Sequence, residues 1–257
     1  MKLVILGSGT SVPHAQRASA AHWLETDSGS VLLDCSPDAA HRMAEEQLDW
    51  PNLDAIWISH FHLDHVGGLA TFMFGTKWAP QTQQRRKPLI IYGAAGLRAL
   101  LRTFDEANDY NLFKQSFPIE VREVEAGEEF ELLPGLRSLT FSTPHTRASM
   151  ALRLTEGNGA CLVYTSDTGY ADELADFSVG ADLLLMECSF WQNKPVTTHL
   201  DLADAMKIAH LAGPRKVVLT HLYPEWDGVD IAVEAKRLWD GEVIAASDGL
   251  RLDIMGV

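Results

Sequence analysis

The stretch Ser59-His60-Phe61-His62-Leu63-Asp64-His65-Val66-Gly67-Gly68-Leu69 decides how the rest of the chain is read. It follows the apolar run Ala55-Ile56-Trp57-Ile58. Three imidazoles and one carboxylate stand within residues 60–65, although the chain of 257 residues has only ten histidines. A surface turn with a local hydrogen-bond network is one reading. A metal site is the stronger one, because neutral imidazole and carboxylate are the ligands that zinc and similar divalent ions take. At an extended strand end His60 and His62 point the same way. A turn then brings Asp64 and His65 to a second point nearby, which suits two ions rather than one. Gly67-Gly68 allow a sharp turn and a closely packed helix.

Six residues cannot complete two coordination shells, so partners are expected elsewhere. His145 follows the run 136–144, Asp167 follows 160–166, and His221 follows 215–220. Each stands where an apolar strand gives way to a loop with Gly or Pro. Strand ends at the carboxyl edge are where α/β sheets build their sites. Three residues of ligand type with the same local grammar support one another.

Working outward, apolar runs bounded by Gly, Pro, Asp or Asn predict strands at 2–6, 30–34, 55–59, 89–92, 119–124, 138–142, 150–154, 160–165, 183–187, 217–220 and 242–245. Helical spacing predicts helices at 94–104, 200–211 and 229–239. Leu202, Ala205, Met206 and Ala209 share one helix face, and Gly213-Pro214 lie past its end. The order predicts a layered α/β protein with helices covering packed sheets, and residues 1–257 read as one domain.

With 46% hydrophobic and 22% charged residues the composition is that of a globular chain. No apolar run reaches the roughly 18 residues of a bilayer span, and the N-terminus has no secretory-signal pattern. Three widely spaced cysteines (Cys35, Cys161, Cys188) without a C-x-x-C pair predict a reducing cytoplasm. The net charge of −14 repels nucleic-acid backbone over most of the surface. The basic run Arg85-Arg86-Lys87 reads as a solvated loop, with a nucleic-acid grip the lesser alternative.

His199 precedes the 200–211 helix by one residue. An imidazole there can serve as an acid near pH 7, and a carboxylate behind it would raise its pKa and fix its tautomer. Glu187, at the end of a strand run, is the candidate carboxylate. The alternative is that His199 is simply a helix N-terminal residue and Glu187 a strand end in water. Ser11, His14 and Arg17 could reach a substrate anion but read first as structural. His22, His41 and His210 read as surface or core. Cys35 directly follows Asp34, and a thiol ligand there is a minor alternative. Of the aromatics Phe61, Phe72, Phe74, Trp78, Phe190, Trp191, Tyr223 and Trp226, most read as core. Several at a site mouth would suit an aromatic or apolar leaving group.

Residues 59–69 resemble the H-x-H-x-D-H signature of the metallo-β-lactamase superfamily, and His145, Asp167 and His221 resemble its remaining ligand motifs. The resemblance covers nearly the whole chain. It implies a four-layer αββα sandwich, two mixed β-sheets flanked by helices, with the site at one edge of the sheets. It implies that His60, His62 and His145 hold one metal, that Asp64, His65 and His221 hold the other, and that Asp167 bridges both. His62 stands where di-iron redox relatives carry Glu, which favours two zinc ions, with manganese or iron as alternatives. The stretches 6–25, 31–43, 88–101 and 183–224 resemble ribonuclease Z and its short relatives. In that branch a Glu and a later His form a charge-relayed proton donor, and they match Glu187 and His199. Asp64, besides ligating, would orient the nucleophile. Two departures stand out. Met186 replaces the branch's His, with Cys188 and Ser189 in place of Ala and Thr. The stretch 146–166 is also too short for the tRNA-gripping arm. The chain therefore resembles an armless relative acting on a small-molecule ester, a phosphodiester first, with tRNA disfavoured. A lactonase, thioesterase or sulfatase on the same site is the alternative within enzymes, and a non-catalytic metal- or ligand-binding protein is the alternative of another class. Phe72-Met73-Phe74 offer a surface for a homodimer.

Overall fold

The computed structural model describes residues 1–256. Its strands are β1 (Lys2–Gly7), β2 (Ala21–Thr26), β3 (Gly29–Leu33), β4 (Ala55–Ile58), β5 (Leu89–Ala94), β6 (Ile119–Val124), β7 (Glu129–Leu133), β8 (Leu136–Ser142), β9 (Met150–Thr155), β10 (Cys161–Tyr164), β11 (Leu183–Glu187), β12 (Lys216–Thr220), β13 (Glu242–Ala245) and β14 (Arg251–Asp253). Its α-helices are α1 (Ala39–Glu45), α2 (Leu63–Val66), α3 (Leu69–Trp78), α4 (Leu97–Glu106), α5 (Asp172–Ser178), α6 (Leu202–Ala212) and α7 (Ile231–Lys236).

The strands form two seven-stranded mixed sheets, in the orders β14-β1-β2-β3-β4-β5-β6 and β13-β12-β11-β10-β9-β8-β7. In the first, β14 to β3 are antiparallel neighbours and β3 to β6 parallel; in the second, β13 to β10 are parallel and β10 to β7 antiparallel. Strand alternation builds the layers. In β1, Leu3 and Ile5 join a cluster with Leu152, Leu154, Leu162 and Leu185, which lies between the sheets. Val4 and Leu6 face the other way, onto Met43 of α1 and Met73 of α3. On the far side, Val163 and Leu184 pack with Ala205, Met206 and Ala209 of α6. Both faces of the central strands are covered, which is why they read as continuous apolar runs. The four-layer αββα sandwich expected from the sequence is the architecture observed.

All eleven predicted strands are present. Three others were not anticipated, namely β2, β7 and the three-residue β14. The helix expected at 94–104 begins three residues later, because Gly93 and Ala94 extend β5 alongside Glu123 and Val124. Asp201 caps α6 by accepting from the Asp204 N–H, and Gly213 ends it at φ +58°. Phe72 and Met73 lie in the core, and only Phe74 of that run is exposed. No helix among the described residues is long and apolar enough to cross a membrane.

Candidate metal centre

The loops that leave β3, β4, β8, β10, β11 and β12 converge on one edge of the sandwich. His60 follows β4, His62 immediately precedes α2, and Asp64 and His65 lie on α2. His145, Asp167 and His221 arrive from the second sheet. Their ligand atoms form two groups, His60-His62-His145-Asp167 and Asp64-His65-His221, and a third, Asp167-His199-His221, brings in His199; all atoms in a group lie within 4.8 Å of one another. The Asp167 carboxylate faces the first two. Its Oδ1 is 3.3 Å from His65 Nε2, and its Oδ2 is 3.7 Å from His60 Nε2, 3.6 Å from His145 Nε2 and 3.4 Å from His221 Nε2. Asp64 Oδ2 is 3.4 Å from His221 Nε2 and 3.7 Å from His65 Nε2.

The outer face of each imidazole explains why the inner face is bare. The His65 Nδ1–H donates to Asp34 Oδ2 at 2.7 Å, and the His145 Nδ1–H to the Thr198 carbonyl at 2.9 Å. The Ser189 hydroxyl donates to Glu187 Oε2, so its oxygen accepts from His221 Nδ1–H at 2.9 Å. The Ser59 hydroxyl donates to Asp34 Oδ2, so its oxygen accepts from His60 Nδ1–H at 3.1 Å. With Nδ1 protonated on these four rings, each Nε2 carries a lone pair aimed at the cluster. His60 Nε2 and His65 Nε2 are buried without a hydrogen-bond partner. His145 Nε2 stands 3.1 Å from His62 Nδ1. Lone pairs gathered this way repel unless a cation sits among them. Two ligands about 2.1 Å from one tetrahedral ion stand about 3.4 Å apart, and the separations of 3.1 to 3.7 Å bracket that value. The donor set fits divalent metal.

At His60 and His145 the electrostatics agree with acceptor character. Burial and the neighbouring His65 lower the His60 pKa to about 2. Burial lowers His145 as well. For Asp64 burial acts upward, but the His221 hydrogen bond and the His65 charge outweigh it and bring the pKa to about 2. Asp167 is likewise held well below the carboxylate range: burial opposes ionisation, and His221 and His65 overcome it. His65 is buried too, yet Asp167 and Asp34 raise it well above the ordinary imidazole value.

Glu187 and His199 form a pair at the rim of the cluster. The His199 Nδ1–H donates to Glu187 Oε1 at 2.8 Å. The His199 ring stacks on His221 at 5.4 Å and meets His145 edge-on at 4.7 Å. Burial works against its protonation, but the bond and charge of Glu187 win and raise its pKa. Glu187 is itself fixed by N–H groups of Thr168 and Leu200 and by Ser189. Met186, at the position of the branch's His, is buried in the outer core and does not join the pair.

Sequence reasoning missed Asp34. Its carboxylate accepts from the Ser59 N–H at 2.7 Å, the Ser59 hydroxyl at 2.8 Å, His65 Nδ1–H at 2.7 Å and the Tyr164 hydroxyl at 2.7 Å. Its position at a strand end before Cys-Ser-Pro, the grammar that flagged Asp167, was the available signal. Ser189 and the Thr198 carbonyl carried none. Asp34, Ser166 and His221 have φ of +59°, +55° and +58°, uncommon for residues other than Gly. That conformation turns the chain from strand to site, and the surrounding bonds hold it there. Cys35 is not a ligand. It is buried in the core outside the first sheet, and burial pushes its thiol pKa up. His14 and Arg17 are tied to Asp227 at 3.0 and 2.7 Å. Phe72 and Trp226 are core, whereas Phe74 and Trp78 are exposed.

Residues 30–222 match the beta-lactamase superfamily domain, and the chain belongs to that superfamily. It is 28% identical to YhfI, a probable metallo-hydrolase of Bacillus subtilis strain 168, over 253 residues that cover 97% of this chain and 98% of the relative. The YhfI crystal structure superposes with a TM-score of 0.82 at 25% identity, covering 98% of both chains. Ribonuclease Z of Methanosarcina acetivorans is 26% identical over 306 residues, 99% of this chain and 98% of that protein. The short form of human tRNase Z shares the fold, with a TM-score of 0.76 at 21% identity and 99% of both chains covered.

Proposed function

We propose that the chain is a dinuclear-metal hydrolase whose substrate is a small phosphodiester. The reading rests on one observation, the Glu187–His199 pair set against a ligand cluster whose four Nε2 lone pairs point inward. A protein that only binds metal needs no acid beside it. His60, His62, His145 and Asp167 would hold one ion, and Asp64, His65, His221 and Asp167 the other. Two bound divalent cations, zinc first with manganese or iron as alternatives, would supply Lewis acidity and a water of lowered pKa.

The rest falls to the protein's own groups. Asp64, whose Oδ2 lies 3.4 Å from His221 Nε2, would share an ion with that ring and present its other carboxylate oxygen to the attacking water. His199, its proton favoured by Glu187, gives that proton to the leaving oxygen. Glu187 fixes the imidazole tautomer through Nδ1, leaving Nε2–H to act. A carbonyl or sulfate ester could use the same groups. Turnover of a phosphodiester, a sulfate ester and a lactone side by side separates these chemistries.

Two features weigh against a tRNA substrate. β9 and β10 pair directly, Cys161 opposite Thr155, so no arm is inserted between His145 and Asp167. The charge of −14 also disfavours a polyanion. Three buried free cysteines suit the cytoplasm. The exposed aromatics Phe74, Trp78 and Tyr110 would serve a homodimer, and sedimentation as a monomer at all concentrations would set that aside. The decisive assay is His62→Ala against bis(p-nitrophenyl) phosphate with added zinc or manganese. Turnover should fall to background, and turnover equal to the parent's would remove this site as the catalyst.

A further inference from the structure

Beside the cluster lies a cavity of about 610 Å³ that the mechanism above does not use. Its walls include Phe61, Ala94, Val124, Ala148 and Met150, with Arg147 and Glu125 at the rim. Phe61 stands between His60 and His62 in the chain, and the Met150 N–H donates to the Ser59 carbonyl at 3.1 Å, so the segment that carries the first ligands also forms part of the cavity wall. The volume is that of a small-molecule pocket.

Two observations define its occupant. The loops around the cluster carry three cations, Arg17, Arg147 and Lys194. Arg17 is paired with Asp227 and Lys194 with Asp204. Arg147 is exposed and has no carboxylate partner among the described residues. A guanidinium left free beside apolar walls is suited to lie on the face of an aromatic ring. The rim also bears Glu125, so its formal charge sums to zero, and neither sign of charged group is favoured in the cavity. An uncharged ring matches both facts.

We propose that this cavity holds one arm of the diester and that the arm is a flat, uncharged aromatic group lying between Phe61, Ala148 and Met150 under the Arg147 guanidinium. The proposal rests on the phosphodiester reading for the word diester. The arm is the retained one, because the leaving oxygen goes to His199, which does not line the cavity.

The test uses no ester and no metal, so the hydrolase reading can fail without touching it. Chelator-treated protein carrying carbon-13 methyl methionine is titrated with 2-naphthol and with its saturated counterpart, decahydro-2-naphthol. The Met150 methyl signal should shift saturably with 2-naphthol and at least about threefold more weakly with the puckered ring. Arg147→Ala should weaken 2-naphthol by about three- to fivefold, the range of an exposed cation–π contact. Ala148→Trp should abolish the shift. The six other methionine signals should stay in place, as a check on folding. An unmoved Met150 signal overturns the proposal, as does equal affinity for the two rings or parental affinity in Arg147→Ala.

Discussion

Replacing Asp34 with asparagine should weaken both the fold and the metal site, by amounts that follow from its contacts. The carboxylate is fully buried and accepts from four donors, one on Oδ1 and three on Oδ2. An amide keeps the shape and tolerates the left-handed backbone at φ +59°. Whichever way it turns, however, its NH2 faces at least one donor. If the oxygen keeps the Ser59 N–H, then His65, Tyr164 and the Ser59 hydroxyl all lose their acceptor. Hydrogen bonds to a charged group contribute about 1.5–3 kcal/mol each, and removing one partner of a buried charged set costs about 3–5 kcal/mol. At about 2 °C per kcal/mol for a chain of this length, the melting temperature should fall by about 6–10 °C. His65 also loses the group that fixes its Nδ1–H, and such losses lower metal affinity by about 10- to 100-fold. Thermal denaturation and a zinc competition titration measure the two effects. Parental melting together with zinc affinity within about threefold of the parent's would refute the reasoning.

Gly68→Ala should be severe. A Cβ there would overlap the Ser36 carbonyl oxygen and crowd that of Cys35, backbone atoms that cannot move aside. Urea unfolding should show a loss of about 3 kcal/mol or more. Glu187→Gln turns an NH2 toward buried donors, so it should lower stability as Asp34→Asn does; per folded molecule it should also cost about 10²-fold in turnover of a phenyl ester, whose leaving oxygen needs a proton. It should cost much less with p-nitrophenyl, and equal losses on the two esters would count against His199 as the acid. His22 is buried, with both ring nitrogens unpaired, and burial, then His65 and His221, lower its pKa to about 3. Above pH 6.5 it is neutral in both states and costs nothing. As pH falls below 6.5 the unfolded chain takes up a proton that the native chain refuses, and stability is lost by about 2 kcal/mol at pH 5. His22→Phe should flatten the stability–pH curve between pH 6.5 and 4, and an unchanged slope would show that burial does not act as described.

The parts legible in the sequence were those with a periodic or chemical signature. The strands before His60, Asp167 and His221 are apolar on both faces because both faces are covered, so their runs were continuous and their ends sharp; β8, before His145, alternates buried and open residues instead. Their ligand-type residues were visible as departures from that apolarity. β2 was not legible, since Ala-His-Trp-Leu-Glu-Thr places a histidine in the core and a carboxylate outside without clear alternation. β7 carries Glu129 and Glu131 before two buried leucines, at an edge of the second sheet, and β14 is too short to show a period. The outer contacts of the imidazoles were hidden for another reason. A serine or a backbone carbonyl has no signature of its own, and only the folded distance tells Ser189 from any other serine.

The two ligand groups each draw on both sheets. His60 and His62 come from the first sheet and meet His145 and Asp167 from the second, while Asp64 and His65 meet His221. An ion seated there would therefore act as a rivet through the seam of the sandwich. Its binding energy would be shared by both halves of the chain, since neither half owns a complete coordination set. Loading with metal would then raise resistance to proteolysis along the whole seam at once, in the strands of both sheets rather than in the loops alone.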